Sequence, residues 1–566
     1  MRSLNPDIKD LHSPGAVEAE HVLRMLHEHE IGNPDQAWRA KIFRAFPRRF
    51  AHRMAREYEE IYLFESRRNA NIYLLDHWDR CQKKAIPLSS SDYELERMAK
   101  KHANEMRIIA SVIYDEVKAV VRLWSLAKEY GIRPPSLTDP NITPRGILHR
   151  LFDDQWWLRQ LRKAHAKNLE EEAIRLGFVH QHAGTYISDE TFARFQEQKK
   201  RNTRILSRLV AMNEAGQIFQ LEHLIARGMA NPKNRRNELM CRVFGFETIA
   251  NQLGHFADFM TLTCPSRMHA RLSKSGEPNP KYDGTTPAEA QRYLTKVWSR
   301  IRAKLKRDGI EIYGFRVAEP HQDGTPHWHL LVFSEESHIE NIRAIFAHYA
   351  LEEDGNEQGA LEHRFTYKPI DKSKGSAIGY IAKYVSKNID GYALEQDEDG
   401  LDAKDSANRV TAWASTWGIR QFQQFGGVPV TLWRELRKVK TSTPEGILTE
   451  AFEAADSGNW SRFLEVLGGP APHRKDLPIQ LAKEESNEVG KYGDPIGLHI
   501  VGVIANKVKL STRAHQWSVM TVKQLIAKFE IKSVNWSAFE GEQLGVGADA
   551  EHRPHPSGEA ALEFCQ

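Results

Sequence analysis

The chain has four cysteines in 566 residues (Cys81, Cys241, Cys264 and Cys565), and no two form a CxxC pair. Such spacing offers neither a zinc–thiolate knuckle nor a disulfide framework, and it fits a reducing compartment. No run of eighteen or more apolar residues is present, which excludes a membrane-spanning helix. The opening MRSLNPDIKDLHSPGAVEAEH lacks the apolar core of a secretory signal, so the expected compartment is the cytoplasm. No GxxxxGK[ST] occurs, so the sequence carries no P-loop for a nucleoside triphosphate. No internal repeat is visible.

What is present is an ordinary globular composition, 41% hydrophobic and 27% charged, in a chain too long for one core. The net charge of +4 is small but unevenly placed. From Ser266 to Arg307 eleven Lys/Arg face three Asp/Glu, whereas 351–362 and 395–405 are acidic. A basic segment in a nearly balanced protein suggests a local polyanion site. Taken alone, such a run reads equally as a solvated helix face.

Periodicity divides the chain into regions. Residues 1–230 read as mainly helical, in one or two subdomains. SDYELERMAKKHANEMRIIASVIYDEVKAVVRLWSLAKEYG has apolar residues at three- and four-residue spacing and stops at a glycine. Trp156 and Trp157 read as packing residues, and Ser188 as an N-cap. From about 238 the pattern mixes strands and helices. DFMTLTCPS, IEIYGFRVAEP, HWHLLVFS and HRFTYKPID read as strands, and SAIGYIAKYVSKNI as a helix. TPAEAQRYLTKVWSRIRAKLKRDG reads as a basic helix with Thr286 at its N-cap and Pro287 in its first turn. The short DGT link implies an antiparallel pair, hence an α+β domain with helices on an antiparallel sheet over 231–440. A smaller mixed region is expected over 441–545, with a hairpin around Ala505-Asn506, then a disordered tail over 546–566.

Two stretches carry candidate chemistry. In EPHQDGTPHWHLLVF (319–333), His327 and His329 are two apart on a strand and share one face. A three-residue loop Gln322-Asp323-Gly324, with glycine at its last position, would place Glu319 across from His327 on that face. A two-residue Asp-Gly turn would send Glu319 to the other face. Two imidazoles and a carboxylate with open positions suit a divalent ion. That ion could be Mg²⁺ or Mn²⁺ polarising a phosphoryl oxygen, or Zn²⁺ activating water. The plainer alternative is a pair of structural histidines. In GYIAKYVSKNI, Tyr380 and Tyr384 lie one turn apart on one helix face, with Lys383 and Lys387 on the next. A tyrosine stripe at that spacing is usually core. Beside a cation site, however, a phenol can attack phosphorus once a base takes its proton.

HWH between strand flanks, followed by YIAKY, resembles the HUH superfamily of single-strand endonucleases. More narrowly, it resembles the bacteriophage replication gene A protein family, which starts rolling-circle replication. DFMTLTCPS (258–266) resembles the family's first motif, EPHQDGTPHWHLLVF its metal motif and YIAKYVSK its two-tyrosine nucleophile motif. RVFGFETIA (242–250) resembles the family's entry into this domain. The likeness covers about residues 230–440.

The resemblance implies an HUH-type antiparallel sheet flanked by helices as the catalytic domain, and a site-specific, metal-dependent nickase. His327 and His329 would ligate Mg²⁺ or Mn²⁺, with Glu319 as third ligand and His321 as the alternative. Tyr380 and Tyr384 would form and pass on a 5′-phosphotyrosyl link. Lys383 would hold the scissile phosphate or lower the phenol pKa, unless it is a solvated surface lysine. Phosphate contacts would come from Arg267, Arg292, Lys296, Arg300, Lys304, Lys306 and Lys387. Implied partners are single-stranded origin DNA, a host helicase and the replication machinery. A conjugative relaxase or transposase of the same fold, or a non-catalytic origin-binding protein, are the competing readings. Trp413 and Trp417 read as core rather than as a base-stacking platform.

Overall fold

A computed structural model describes residues 35–273, 275–371, 376–392, 402–439, 446–513 and 515–529. The expected tail over 546–566 lies outside the described residues. The chain divides into two compact units, one running to Phe178 and including Glu485–Leu498, the other holding Val179–Glu484 and the residues from His499 on.

The first unit is built mostly from helices: Gln36–Phe43, Arg48–Phe64, Arg67–Gln82, Asp92–Ser111, Glu116–Glu129, Pro144–Phe152 and Asp154–Arg175. The long periodic stretch after Ser91 is two helices, not one. The first ends at Ser111, and Asp115 starts the second by accepting a hydrogen bond from the Lys118 N–H. An Asp at an N-cap competes with helix continuation, so the apolar period runs on while the backbone breaks. Leu95, Met106, Leu123, Leu151 and Leu161 pack with Trp156 and Trp157 in one core. Trp157 is fully buried and donates its indole N–H to the Leu151 carbonyl at 2.8 Å.

The second unit contains two sheets inside its own bounds, and a third whose strands also run through Glu485–Leu498. Strands β1 (Leu209–Asn213) and β2 (Ile218–Gln220) pair with β11 (Trp517–Thr521), about three hundred residues later in the chain. Strands β3 (Phe256–Leu262), β4 (Tyr313–Pro320), β5 (Pro326–Ser334), β6 (Phe365–Pro369) and β7 (Phe422–Phe425) form a five-stranded antiparallel sheet in the order β6-β3-β5-β4-β7. The expected hairpin around Ala505-Asn506 joins β9 (Pro495–Ala505) to β10 (Val508–Ser511), and β8 (Gln480–Val489) completes that sheet. Asn506 and Lys507 both have positive φ, as a two-residue hairpin turn requires.

The five-stranded sheet is covered on both faces, which gives the unit its mixed α+β character. Phe259, Phe315, Val317, Leu331 and Phe333 face a core shared with helices Pro232–Leu253, Ala377–Ile389, Val430–Leu436, Ile447–Asp456 and Trp460–Val466. Side chains alternate along a strand, so Met260, Arg316, Trp328 and Leu330 turn to the other face. There the helices Pro287–Arg307 and Ile339–Ala350 lie over them. Pro287–Arg307 begins where expected, with the Glu289 carboxylate accepting from the Thr286 N–H and hydroxyl. Ser188 likewise caps Asp189–Leu206. Gly314 lets β4 run close to β5: its φ is +149°, and a Cβ there would lie 1.9 Å from the Leu331 carbonyl oxygen.

Candidate metal and nucleophile site

The β4–β5 hairpin sets the geometry. Glu319 pairs with His327 and Pro320 with Pro326, while the His321 N–H donates to Thr325 O at 2.8 Å. The loop is therefore Gln322-Asp323-Gly324, with Gly324 at φ +83°, and Glu319 stands on the imidazole face. The alternative two-residue turn is not the one formed. Asp323 stiffens the loop by accepting from the Thr325 N–H at 3.0 Å, and Trp413 donates its indole N–H to Gly324 O at 2.8 Å. Trp413 and Trp417 are both buried.

Among the described residues, Glu319, His327 and His329 form a group whose ligand atoms all lie within 4.8 Å of one another. His327 Nε2 and His329 Nε2 are 2.9 Å apart, and they lie 4.0 and 3.7 Å from Glu319 Oε2. Ligand atoms about 2.0–2.2 Å from one small ion stand roughly 3–4 Å from each other, so one ion can span this set. The imidazoles argue the same way. Burial holds His329 down to about 3, and His327 well below its ordinary value. Both rings are then neutral at pH 7, ready to offer lone pairs. His329 Nδ1 is 3.1 Å from Thr261 Oγ1, the kind of outer partner that orients a ligating ring. Thr261 owes its place to the β3–β5 register, which sets it opposite His329.

The carboxylate is held from behind. Glu319 Oε1 accepts a hydrogen bond from Asn388 Nδ2, and Asn388 is fully buried. Asn388 lies one turn beyond Tyr384, so its signal was the continuation of the 380, 384 spacing to 388. Lys387, expected among the DNA contacts, is buried with Nζ 4.0 Å from Glu319 Oε2 and over the Tyr186 ring. His321 packs its ring 4.1 Å from that of His327 and stays outside the three-ligand group. Its neighbour on the other side is His269, which pairs with Asp323 at 3.2 Å.

Tyr380 and Tyr384 lie on helix Ala377–Ile389, which Ser376 caps through the Gly379 N–H. The Tyr384 ring is 4.2 Å from the His329 ring and stacked on Phe259 at 5.2 Å. Tyr380 is one turn away, 6.1 Å from Phe259, with Lys368 Nζ over its ring. Both tyrosines are half-buried, and Lys383 is exposed.

The structure does not bring the basic segment to the histidines. Helix Pro287–Arg307 covers the opposite face of the sheet, and the acidic stretch lies against it. Arg267 meets Asp283, Glu353 and Asp354; Lys296 meets Glu353; and Arg300 meets Glu352. Arg292 and Lys304 make pairs within their own helix or at its end, with Glu289 and Asp308. Lys306 is exposed.

A sequence model described as Bacteriophage replication gene A protein (GPA) matches residues 83–392, more than half of the chain and all of the site. The chain belongs to this family. A gene A-family relative, the "Replication gene A protein" of Escherichia phage 186, is 37% identical over 457 residues, 76% of this chain and 65% of its own. The "Replication protein" of Haemophilus phage HP1 is 42% identical over 383 residues, 66% of this chain and 48% of its own. A "Probable replication endonuclease from prophage-like region" of Salmonella paratyphi A is 35% identical over 408 residues, 69% and 49% of the two chains. The gene A-family chain described here thus spans about half to two thirds of the length of these curated relatives. No solved structure matches it.

Proposed function

We propose that this chain is an HUH-type endonuclease that initiates phage DNA replication by nicking one strand at the origin. The observation that carries the reading is the Tyr384 ring lying 4.2 Å from that of His329, which shares its strand face with His327. The name of the Salmonella paratyphi A relative, a "Probable replication endonuclease", supports it.

His327, His329 and Glu319 would hold a divalent ion, Mg²⁺ or Mn²⁺, which supplies positive charge to the phosphoryl oxygens when bound. Asn388 and Thr261 fix the carboxylate and one imidazole. A tyrosine Oη attacks phosphorus, the new P–O(Tyr) bond forms as the P–O3′ bond breaks, and the 3′-oxygen leaves as a hydroxyl. The phenol proton passes, through a base or solvent, to that 3′-oxygen, so the exchange balances. Because one phosphodiester replaces another, the step reverses readily. Tyr380, one turn from Tyr384, can receive the strand after a round of synthesis and allow rejoining. Lys383, exposed beside the two phenols, would meet the scissile phosphate.

Arg267, Arg292, Lys296, Arg300, Lys304 and Lys306 would contact DNA flanking the nick, with Arg267, Lys296 and Arg300 exchanging Glu352, Glu353 and Asp354 for phosphates. Lys387 would act at the site itself, beside Glu319. A separate host helicase would supply unwinding, in the host cytoplasm. The test is incubation of supercoiled origin DNA with Mg²⁺. Open circles carrying protein on the 5′ end, absent with EDTA, support the reading. A relaxase or transposase would nick a transfer or element end instead, and an origin-binding protein would leave the DNA intact.

A further inference from the structure

The sheet face turned away from the histidines carries an arginine that no acid neutralises. Arg316 on β4 is 5% exposed, and its guanidinium carbon lies 3.7 Å from the centroid of the Trp328 ring. Trp328 is itself fully buried, its indole N–H donated to Gln291 Oε1 at 3.0 Å. Among the described residues Arg316 makes no ion pair, and its buried Nε has no hydrogen-bond acceptor. Glu319, three residues on, belongs to the opposite face. Burial draws the Arg316 pKa down to about 10, and Arg420 pushes it the same way, yet it stays a cation at pH 7. A buried charge with no partner is costly, and proteins ordinarily answer it with a carboxylate. Here none is supplied.

The neighbours add donors. The β4–β7 register sets Gln423 directly across from Arg316. The Ala318 N–H donates to Gln421 O at 2.7 Å, which makes Gln421 a diagonal neighbour of Arg316 on the same face. The Gln421 amide nitrogen is buried and has no acceptor. Arg420, two residues before β7, is exposed and donates its Nε to Phe422 O at 3.3 Å. Stacking on Trp328 fixes the plane of the guanidinium and leaves its N–H edge for an in-plane acceptor. A guanidinium Nε and a neighbouring amide nitrogen, both buried and both lacking an acceptor, suit an oxyanion that accepts from more than one donor.

We propose that Arg316 and Gln421 form a phosphate-binding site on the sheet face opposite the Glu319–His327–His329 group. The ligand is a phosphate group, whether a free ion or a phosphodiester of a nucleic-acid backbone. The site needs no nicking activity to exist.

The test is calorimetric titration of the full chain with inorganic phosphate and, separately, with a short abasic deoxyribose-phosphate oligomer. Each is repeated with Arg316→Met, which keeps the stack on Trp328 but removes the charge. Binding by the wild type, weakened by about tenfold or more in Arg316→Met, supports the site. Arg316-dependent binding of the oligomer alone assigns it to a nucleic-acid backbone, and of inorganic phosphate alone to the free ion. No binding of either probe by the wild type, or equal binding by Arg316→Met, overturns the proposal. Should Arg316→Met fail to fold, Gln421→Leu replaces it: weakened binding supports the site and unchanged binding overturns it. Nicking of supercoiled DNA, followed in parallel, separates a failure here from a failure of the endonuclease reading.

Discussion

The Tyr384 ring packs 4.2 Å from that of His329, centroid to centroid, and both rings lie against Phe259. A phenol on a helix and an imidazole on a strand are thus fixed against the same aromatic wall. Exchanging Tyr384 for phenylalanine keeps that packing and removes only the hydroxyl. Tyr384→Phe is expected to change unfolding free energy by about 1 kcal/mol or less, the net worth of a single hydrogen bond. Tyr380→Phe plus Tyr384→Phe is expected to abolish the protein–DNA adduct. Urea unfolding and denaturing gels of labelled DNA read the two effects. Persistent, undiminished nicking by the double variant would mean that neither phenol is the nucleophile.

Glu319→Gln tests the carboxylate without changing its size. The amide oxygen can still accept from Asn388 Nδ2, so the fold is expected to survive. Charge toward a divalent ion is lost. Mn²⁺ affinity is expected to fall by about tenfold or more, which corresponds to about 1.4 kcal/mol. Calorimetric titration with Mn²⁺ measures it directly.

Asn388→Ala removes the group behind the carboxylate and leaves Glu319, His327 and His329 in place. Outer partners of metal ligands typically contribute about 10–100-fold to affinity or activity, and a loss in that range is expected. If Mn²⁺ binding is unchanged, Glu319 is held by something other than this bond.

Much of this site was legible because its elements are local. Gly324 at the end of a three-residue loop fixed the hairpin register, and that register put Glu319 beside His327. Thr286, Pro287 and Ser188 marked helix starts through short-range chemistry alone. The strands β1, β2 and β7 were not legible. Phe422–Phe425 is a four-residue edge strand with no alternation to read, and β1 finds its partner β11 some three hundred residues away. The ion pairs between Pro287–Arg307 and Glu352 and Glu353 were hidden for the same reason. Each charge run was visible, but the fold, not the sequence spacing, set them against each other. Asn388 could have been read from the tyrosine spacing, whereas Thr261 required the β3–β5 pairing.

Gly314→Ala tests the packing that supports the hairpin. A Cβ 1.9 Å from the Leu331 carbonyl oxygen cannot be accommodated without moving β4 or β5. The positive φ adds strain for any residue with a side chain. Destabilisation of at least about 2 kcal/mol is expected, read as a lowered Tm. A variant as stable as the wild type would show that the two strands can separate there without cost.

The covalent intermediate is the most direct measure of the central claim. Protein incubated with supercoiled origin DNA and Mn²⁺, digested with nuclease and protease, is examined by mass spectrometry. The expected result is a 5′-phosphonucleotide on the peptide carrying Tyr380 and Tyr384, absent when His329 is replaced by alanine. Nicked DNA with both tyrosines unmodified, or an adduct on any other residue, would contradict the account.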